Sequence, residues 1–108
     1  MDIKKLQKLV VKHRNLWGFG KETPEQLALG LCIESGEFAQ TIMREYRYGK
    51  PRGGLDDKSS LPNEAADVMV FLLAAYEACG VDIVEALKHK IKMNDARFIK
   101  PKLSKERT

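Results

Sequence analysis

Two acidic pairs carry the chemistry this sequence offers, Glu34-Ser35-Gly36-Glu37 and Glu64-Ala65-Ala66-Asp67. Each is spaced i,i+3, which on a helix places both carboxylates on one face, a turn apart. Residues 38 to 63 separate the pairs, enough chain to finish one helix, turn, and start a second running back. On antiparallel helices the four carboxylates converge. Converging carboxylates repel one another unless a cation sits among them, and an all-oxygen donor set suits magnesium or manganese. The alternative is that the four are held in salt bridges by some of the 19 Lys and Arg.

The flanking sequence sharpens that choice. Beyond Asp67 the same helical face carries Phe71, Ala74, Ala75 and Ala78, and Glu34 and Glu37 lie between Leu31 and Phe38. Asp67 is therefore expected to point inward, where an unpaired charge is expensive. Glu64 is the weakest member of the set, because any Glu is favoured in the first turn of a helix.

Length and composition bound what can position these groups. A chain of 108 residues, 44% apolar and 31% charged, fits one helix-rich domain, here residues 1–100, followed by a basic tail at 101–108 that is expected to be disordered. The longest apolar run, Val68 to Tyr76, is far short of the ~20 residues of a membrane span. The N-terminus shows no signal-peptide pattern, so a cytoplasmic location is expected. Cys32 and Cys79 form no C-x-x-C and fall in apolar helical stretches, so they are expected to be core thiols rather than a disulfide. Much of the net charge of +4 gathers at the ends: Lys4, Lys5, Lys8, Lys12 and Arg14 read mainly as a solvated face, and Lys100, Lys102, Lys105 and Arg107 as a tail, with a smaller share for binding phosphate. Neither stretch interleaves aromatics for base stacking, which makes nucleic acid an unlikely partner.

Four helices are expected. Residues 2 to about 17 repeat Ile3, Leu6, Leu9, Val10, His13, Leu16 and Trp17 at helical spacing. Gly18-Phe19-Gly20 then stops the helix. Trp17 reads as a core or interface anchor, or as a ligand contact. Thr23-Pro24-Glu25-Gln26 opens the second helix with a capping box, and it runs through Glu34 and Glu37 to about Arg47. Gly30 and Gly36, on either side of Glu34, serve either close helix packing or the approach of a ligand. Residues 48 to 61 form a loop that is long for a compact helical domain. Its Lys50 and Arg52 could reach a polyphosphate, or the segment is a plain surface connection.

The third helix starts near Pro62 and ends at Cys79, with Gly80 as its left-handed cap. Val68, Phe71, Leu72 and Ala75, widened by Met69, Leu73 and Tyr76, make it apolar on more sides than one small domain covers, so a homo-oligomer is expected. The fourth helix opens at the capping pattern Asp82-Ile83-Val84-Glu85 and runs to about Phe98. Lys90, Asn94 and Arg97 share one stripe, suited to a phosphorylated ligand or to a solvated helix end. His13 and His89 make no zinc set, phosphate-loop signatures are absent, and Glu85 and His89 are spaced i,i+4 rather than the i,i+3 of a di-iron bundle.

E-x-x-E at Glu34 and Glu37, E-x-x-D at Glu64 and Asp67, then K-x-x-x-N-x-x-R at Lys90, Asn94 and Arg97 together resemble the MazG-like all-α nucleoside triphosphate pyrophosphohydrolases. Trp17 ahead of Thr23-Pro24-Glu25-Gln26-Leu27, Asn63-Glu64-Ala65-Ala66-Asp67-Val68, and Cys79-Gly80-Val81-Asp82 extend the likeness over residues 17 to 97. The glycine-rich stretch 49–54 has no match in it. The resemblance implies a four-helix protomer in a homodimer or homotetramer. It implies magnesium-dependent hydrolysis of a nucleoside triphosphate to monophosphate and pyrophosphate, in a house-cleaning role on the nucleotide pool. Manganese is a possible substitute for magnesium. It further implies Glu34, Glu37, Glu64 and Asp67 as metal ligands, with Glu34 or Glu37 also orienting or deprotonating the water. Lys90, Asn94 and Arg97 would hold phosphates or sugar, and Trp17 would stack on the base. The rival readings are a non-enzymatic helical oligomeric interaction module and, behind it, a nucleic-acid-binding bundle.

Overall fold

The computed structural model describes residues 1–48 and 57–99. It is all-α, with four helices and no strand among the described residues: α1 Ile3–Leu16, α2 Pro24–Tyr48, α3 Leu61–Ala78 and α4 Ile83–Phe98. None of these helices is long and apolar enough to cross a membrane. The expected loop residues Lys50 and Arg52, and the tail from 101 onward, lie outside the described residues.

Local chemistry sets each boundary. The Asp2 carboxylate accepts from the Lys5 N–H at 2.8 Å and starts α1. That helix closes in a Schellman motif, with Gly18 at φ 94°, its N–H donating to the Asn15 carbonyl and the Phe19 N–H to the Arg14 carbonyl. The α2 capping box is reciprocal: Thr23 N–H donates to the Gln26 side-chain oxygen, and Gln26 N–H to the Thr23 hydroxyl. Ser60, with no exposed surface, caps α3 by accepting from Asn63 N–H, a cap the sequence reading had not placed. A second Schellman motif ends α3, with Gly80 at φ 68° and the Val81 N–H reaching the Tyr76 carbonyl. Asp82 caps α4 by accepting from Val84 and Glu85 N–H.

The main packing pair is α2 with α3, while α1 packs on α3 and, less extensively, on α4. Leu27, Leu73, Ala74 and Ile83 are the buried apolar residues, joined by buried Gln7, Arg14, Thr41 and Glu45. The chain is open for its length, with a radius of gyration of 17.8 Å against about 13 Å for a compact protein of this size.

Two expectations are corrected. Cys32 and Cys79 are free thiols but both exposed, not core residues. Cys32 falls on a side of α2 that no other described helix covers, and Cys79 is the C-cap at the end of α3. Arg14 is not part of a solvated basic face. It is only 6% exposed, because Glu22 and the rings of Phe19 and Phe71 enclose its guanidinium.

Candidate metal centre

Three pairings fix how α2 and α3 meet. Gly30 lies so close to the Phe71 ring that a Cβ there would collide with Cε1 and Cδ1. Glu34 lies in the field of Asp67, and Glu64 in that of Glu37. Numbers rise along one helix as they fall along the other, so the helices are antiparallel and the two acidic pairs meet. Carboxylate oxygens of Glu34, Glu37 and Glu64 lie within 4.8 Å of one another. Asp67 stands a turn beyond Glu64, outside that closest trio but within its field. Ser60 caps α3 one turn before Glu64 by accepting from the Asn63 N–H. On α2 the buried Thr41 hydroxyl donates to the Glu37 backbone carbonyl at 2.9 Å, while the Glu37 carboxylate shares a side-chain hydrogen bond with Glu34.

Electrostatics reports crowding. Burial raises the pKa of Glu34 above the usual carboxylate value, and Asp67, Glu37, a side-chain hydrogen bond with Glu37, and Glu64 push it further. Burial also raises Glu64, followed by Glu37 and Asp67, with Arg44 opposing. Asp67 is raised by burial and then by Glu37. Among the described residues the ion pairs are Lys4–Asp82 and Arg14–Glu22, and neither involves the four carboxylates. One oxygen each of Glu34 and Glu64 (Oε2 in both) is buried with no hydrogen-bond partner. Unsatisfied buried acceptors are rare in native proteins, and a hard cation satisfies them. The donor set contains oxygen alone, which fits a hard divalent cation.

The remaining sequence candidates sit elsewhere. Trp17 caps the end of α1, is 57% exposed, and leans on His13 with ring centroids 6.0 Å apart. Lys90 and Arg97 are exposed and Asn94 is half-buried on α4, a helix whose main neighbour is α1 and not the α2–α3 pair. The Arg97 guanidinium lies over its neighbour Phe98. Arg44, which sequence reasoning passed over, is the cation whose field reaches Glu64. Its i+7 spacing from Glu37 was the signal available.

The fold and this cluster define an all-α four-helix protein with an acidic centre at its antiparallel α2–α3 pair. No family model matches the chain, and no curated protein sequence matches it. Among solved structures it is similar to a pyrophosphatase from Archaeoglobus fulgidus, with a TM-score of 0.67 and 24% identity over 91% of this chain and 93% of that one. At that identity the likeness shows a shared fold.

Proposed function

We propose that this protein is a divalent-cation-dependent nucleoside triphosphate pyrophosphohydrolase, converting a nucleoside triphosphate and water to the monophosphate and pyrophosphate. The observation that carries the reading is the pair of buried, unpartnered oxygens on Glu34 and Glu64, presented by two helices to one cluster. The shared fold with an archaeal pyrophosphatase and the MazG-like order of the acidic pairs support it.

Glu34, Glu37, Glu64 and Asp67 would hold the cations, magnesium or in its place manganese. When bound, these ions supply the positive charge that lets an anionic triphosphate approach, and they lower the pKa of a reacting water. Exposed Glu37, or half-buried Glu34 beside it, would orient that water and accept its proton. Arg44 adds a cation at the rim. Trp17, Lys90, Asn94 and Arg97 lie outside the α2–α3 pair, so the roles proposed for them, base stacking and phosphate or sugar binding, call for a second protomer. The open protomer and the exposed Leu87, Ile91 and Phe98 of α4 favour such a homodimer or homotetramer. House-cleaning of the nucleotide pool is the corresponding role.

The test is incubation with magnesium and a panel of canonical-base and modified nucleoside triphosphates. Monophosphate plus pyrophosphate, lost in Glu37→Gln and Asp67→Asn, is the expected result. Release of single phosphate would refute attack at the α-phosphorus. The exposed apolar residues also favour a second reading, a non-enzymatic oligomeric module, which expects no turnover and no magnesium binding.

A further inference from the structure

Beside the carboxylates, Gln26, Leu29, Gly30 and Ile33 of α2, with Phe71 of α3 and Glu22 at one end, line a groove of about 280 Å³. Its position follows from the register. Gly30 and Ile33 lie one turn before Glu34 and Glu37, and Phe71 lies one turn after Asp67. Because the helices are antiparallel, all three offsets run in the same direction. The groove therefore begins roughly 6 Å from the acidic cluster, four residues at 1.5 Å each. Its walls are aliphatic and aromatic. Leu29 and Ile33 are 64% and 53% exposed, and the glycine at 30 brings Phe71 up against α2. Its volume is near the lower bound of about 300 Å³ for small-molecule sites.

We infer that this groove receives the planar base of the substrate whose phosphates sit at the carboxylate cluster. The inference rests on the hydrolase reading and extends it to the part of the substrate that does not react. A nucleotide matches this layout in order: a flat apolar-faced ring, a sugar spacer, then the α-phosphate. The turn of helix between groove and cluster is the room for the sugar. It also puts the phosphorus nearest the base beside the metal-binding oxygens, which is where pyrophosphate release requires attack. Gln26 adds a polar contact. Its side-chain oxygen is engaged by the Thr23 N–H, so its NH₂ is left to donate to a ring nitrogen or carbonyl on the edge of the base. These contacts come from one protomer and are separate from Trp17.

The experiment compares two magnesium-loaded ligands, a non-hydrolysable α,β-imido nucleoside triphosphate and inorganic tripolyphosphate, by calorimetry and methyl NMR. Base protons should show nuclear Overhauser contacts to the Leu29 and Ile33 methyls. Leu29→Ala and Ile33→Ala, both at exposed positions, should weaken the nucleotide analogue about tenfold and leave tripolyphosphate unchanged. Gln26→Glu keeps the capping box and should likewise weaken only the nucleotide. Equal effects on both ligands, or none, with tripolyphosphate still bound, overturn the groove assignment and leave the hydrolase reading standing. No binding of tripolyphosphate by the unmodified protein overturns both. A drop in sedimenting mass for Ile33→Ala without selective loss of the nucleotide would show instead that a second copy of the chain covers the groove.

Discussion

The Arg14 guanidinium lies 4.8 Å from the centroid of the Phe71 ring, with Glu22 bonded to it at 2.8 Å. One buried cation thus ties α1, the α1–α2 turn and α3 together, next to the proposed base groove. Arg14→Ala leaves the Glu22 carboxylate without its partner. Breaking a fully buried pair costs about 3–5 kcal/mol, and the partial exposure of Glu22 reduces the expected loss to about 2–4 kcal/mol. Arg14→Lys keeps the charge but loses the planar stack and the fork, for a loss of about 1 kcal/mol. Urea unfolding monitored by circular dichroism measures both; equal stability of all three proteins would show that the pair contributes nothing.

The two glycines flanking Glu34 should respond oppositely to alanine. At Gly30 an added methyl meets the Phe71 ring, while at Gly36 nothing lies within 4 Å. Overpacking costs about 1–3 kcal/mol and exceeds the helix-propensity gain of about 1 kcal/mol, so Gly30→Ala lowers the melting temperature. Gly36→Ala collects the propensity gain alone, about 0.5–1 kcal/mol, and raises it. Two melting curves decide the matter, and a stabilised Gly30→Ala would show that the helices separate freely.

What was legible in the sequence was whatever depends on one helix at a time. The i,i+3 spacing of Glu34 with Glu37 and of Glu64 with Asp67, the Thr23–Gln26 box and the left-handed Gly80 are local features, and the structure contains them. What was not legible depends on a partner from elsewhere. Arg14 shares a segment with four lysines and looks like them; only Phe71, fifty-seven positions on, and Glu22 make it a core residue. Cys32 and Cys79 sit in apolar runs, but a run says how wide a stripe is and not which side has a neighbour. Glu64 was the weakest member of the set as a first-turn acid, and only the packing of α3 against α2 shows it beside Glu34 and Glu37.

Without a cation, the acidic centre should give the protein a distinctive pH response. The folded-state pKa values of Glu34, Glu64 and Asp67 are raised above 4.5, 4.5 and 3.8. In that range the folded state binds more protons than the unfolded chain. Their contribution to stability is therefore full below those ordinary values and is lost as pH rises through the raised ones. Melting in the presence of a chelator should show this as a falling contribution from about pH 4 towards neutrality. Glu34→Gln removes one titrating charge, so its melting temperature should gain on that of the unmodified protein as pH rises. A constant difference between the two across the range would mean that Glu34 is not crowded by its neighbours.

Magnesium should reverse that response, because a cation binds the deprotonated carboxylates and the unfolded chain offers no assembled site. At a concentration one hundred times the dissociation constant the folded state gains about 2.7 kcal/mol, seen as a rise in melting temperature that grows with pH. The geometry also ranks the ligands. Glu34 and Glu64 each bring a buried oxygen without a partner, so Glu34→Gln and Glu64→Gln should abolish the magnesium-induced rise. Asp67 stands just outside the closest trio, so Asp67→Asn, which alters the most distant of the four proposed ligands, should weaken binding by about 10–100-fold rather than abolish it. Calorimetric titration of the three variants gives the order directly. If Asp67→Asn abolished binding while Glu64→Gln did not, the cation would sit further along α3 than the Glu34–Glu37–Glu64 trio places it.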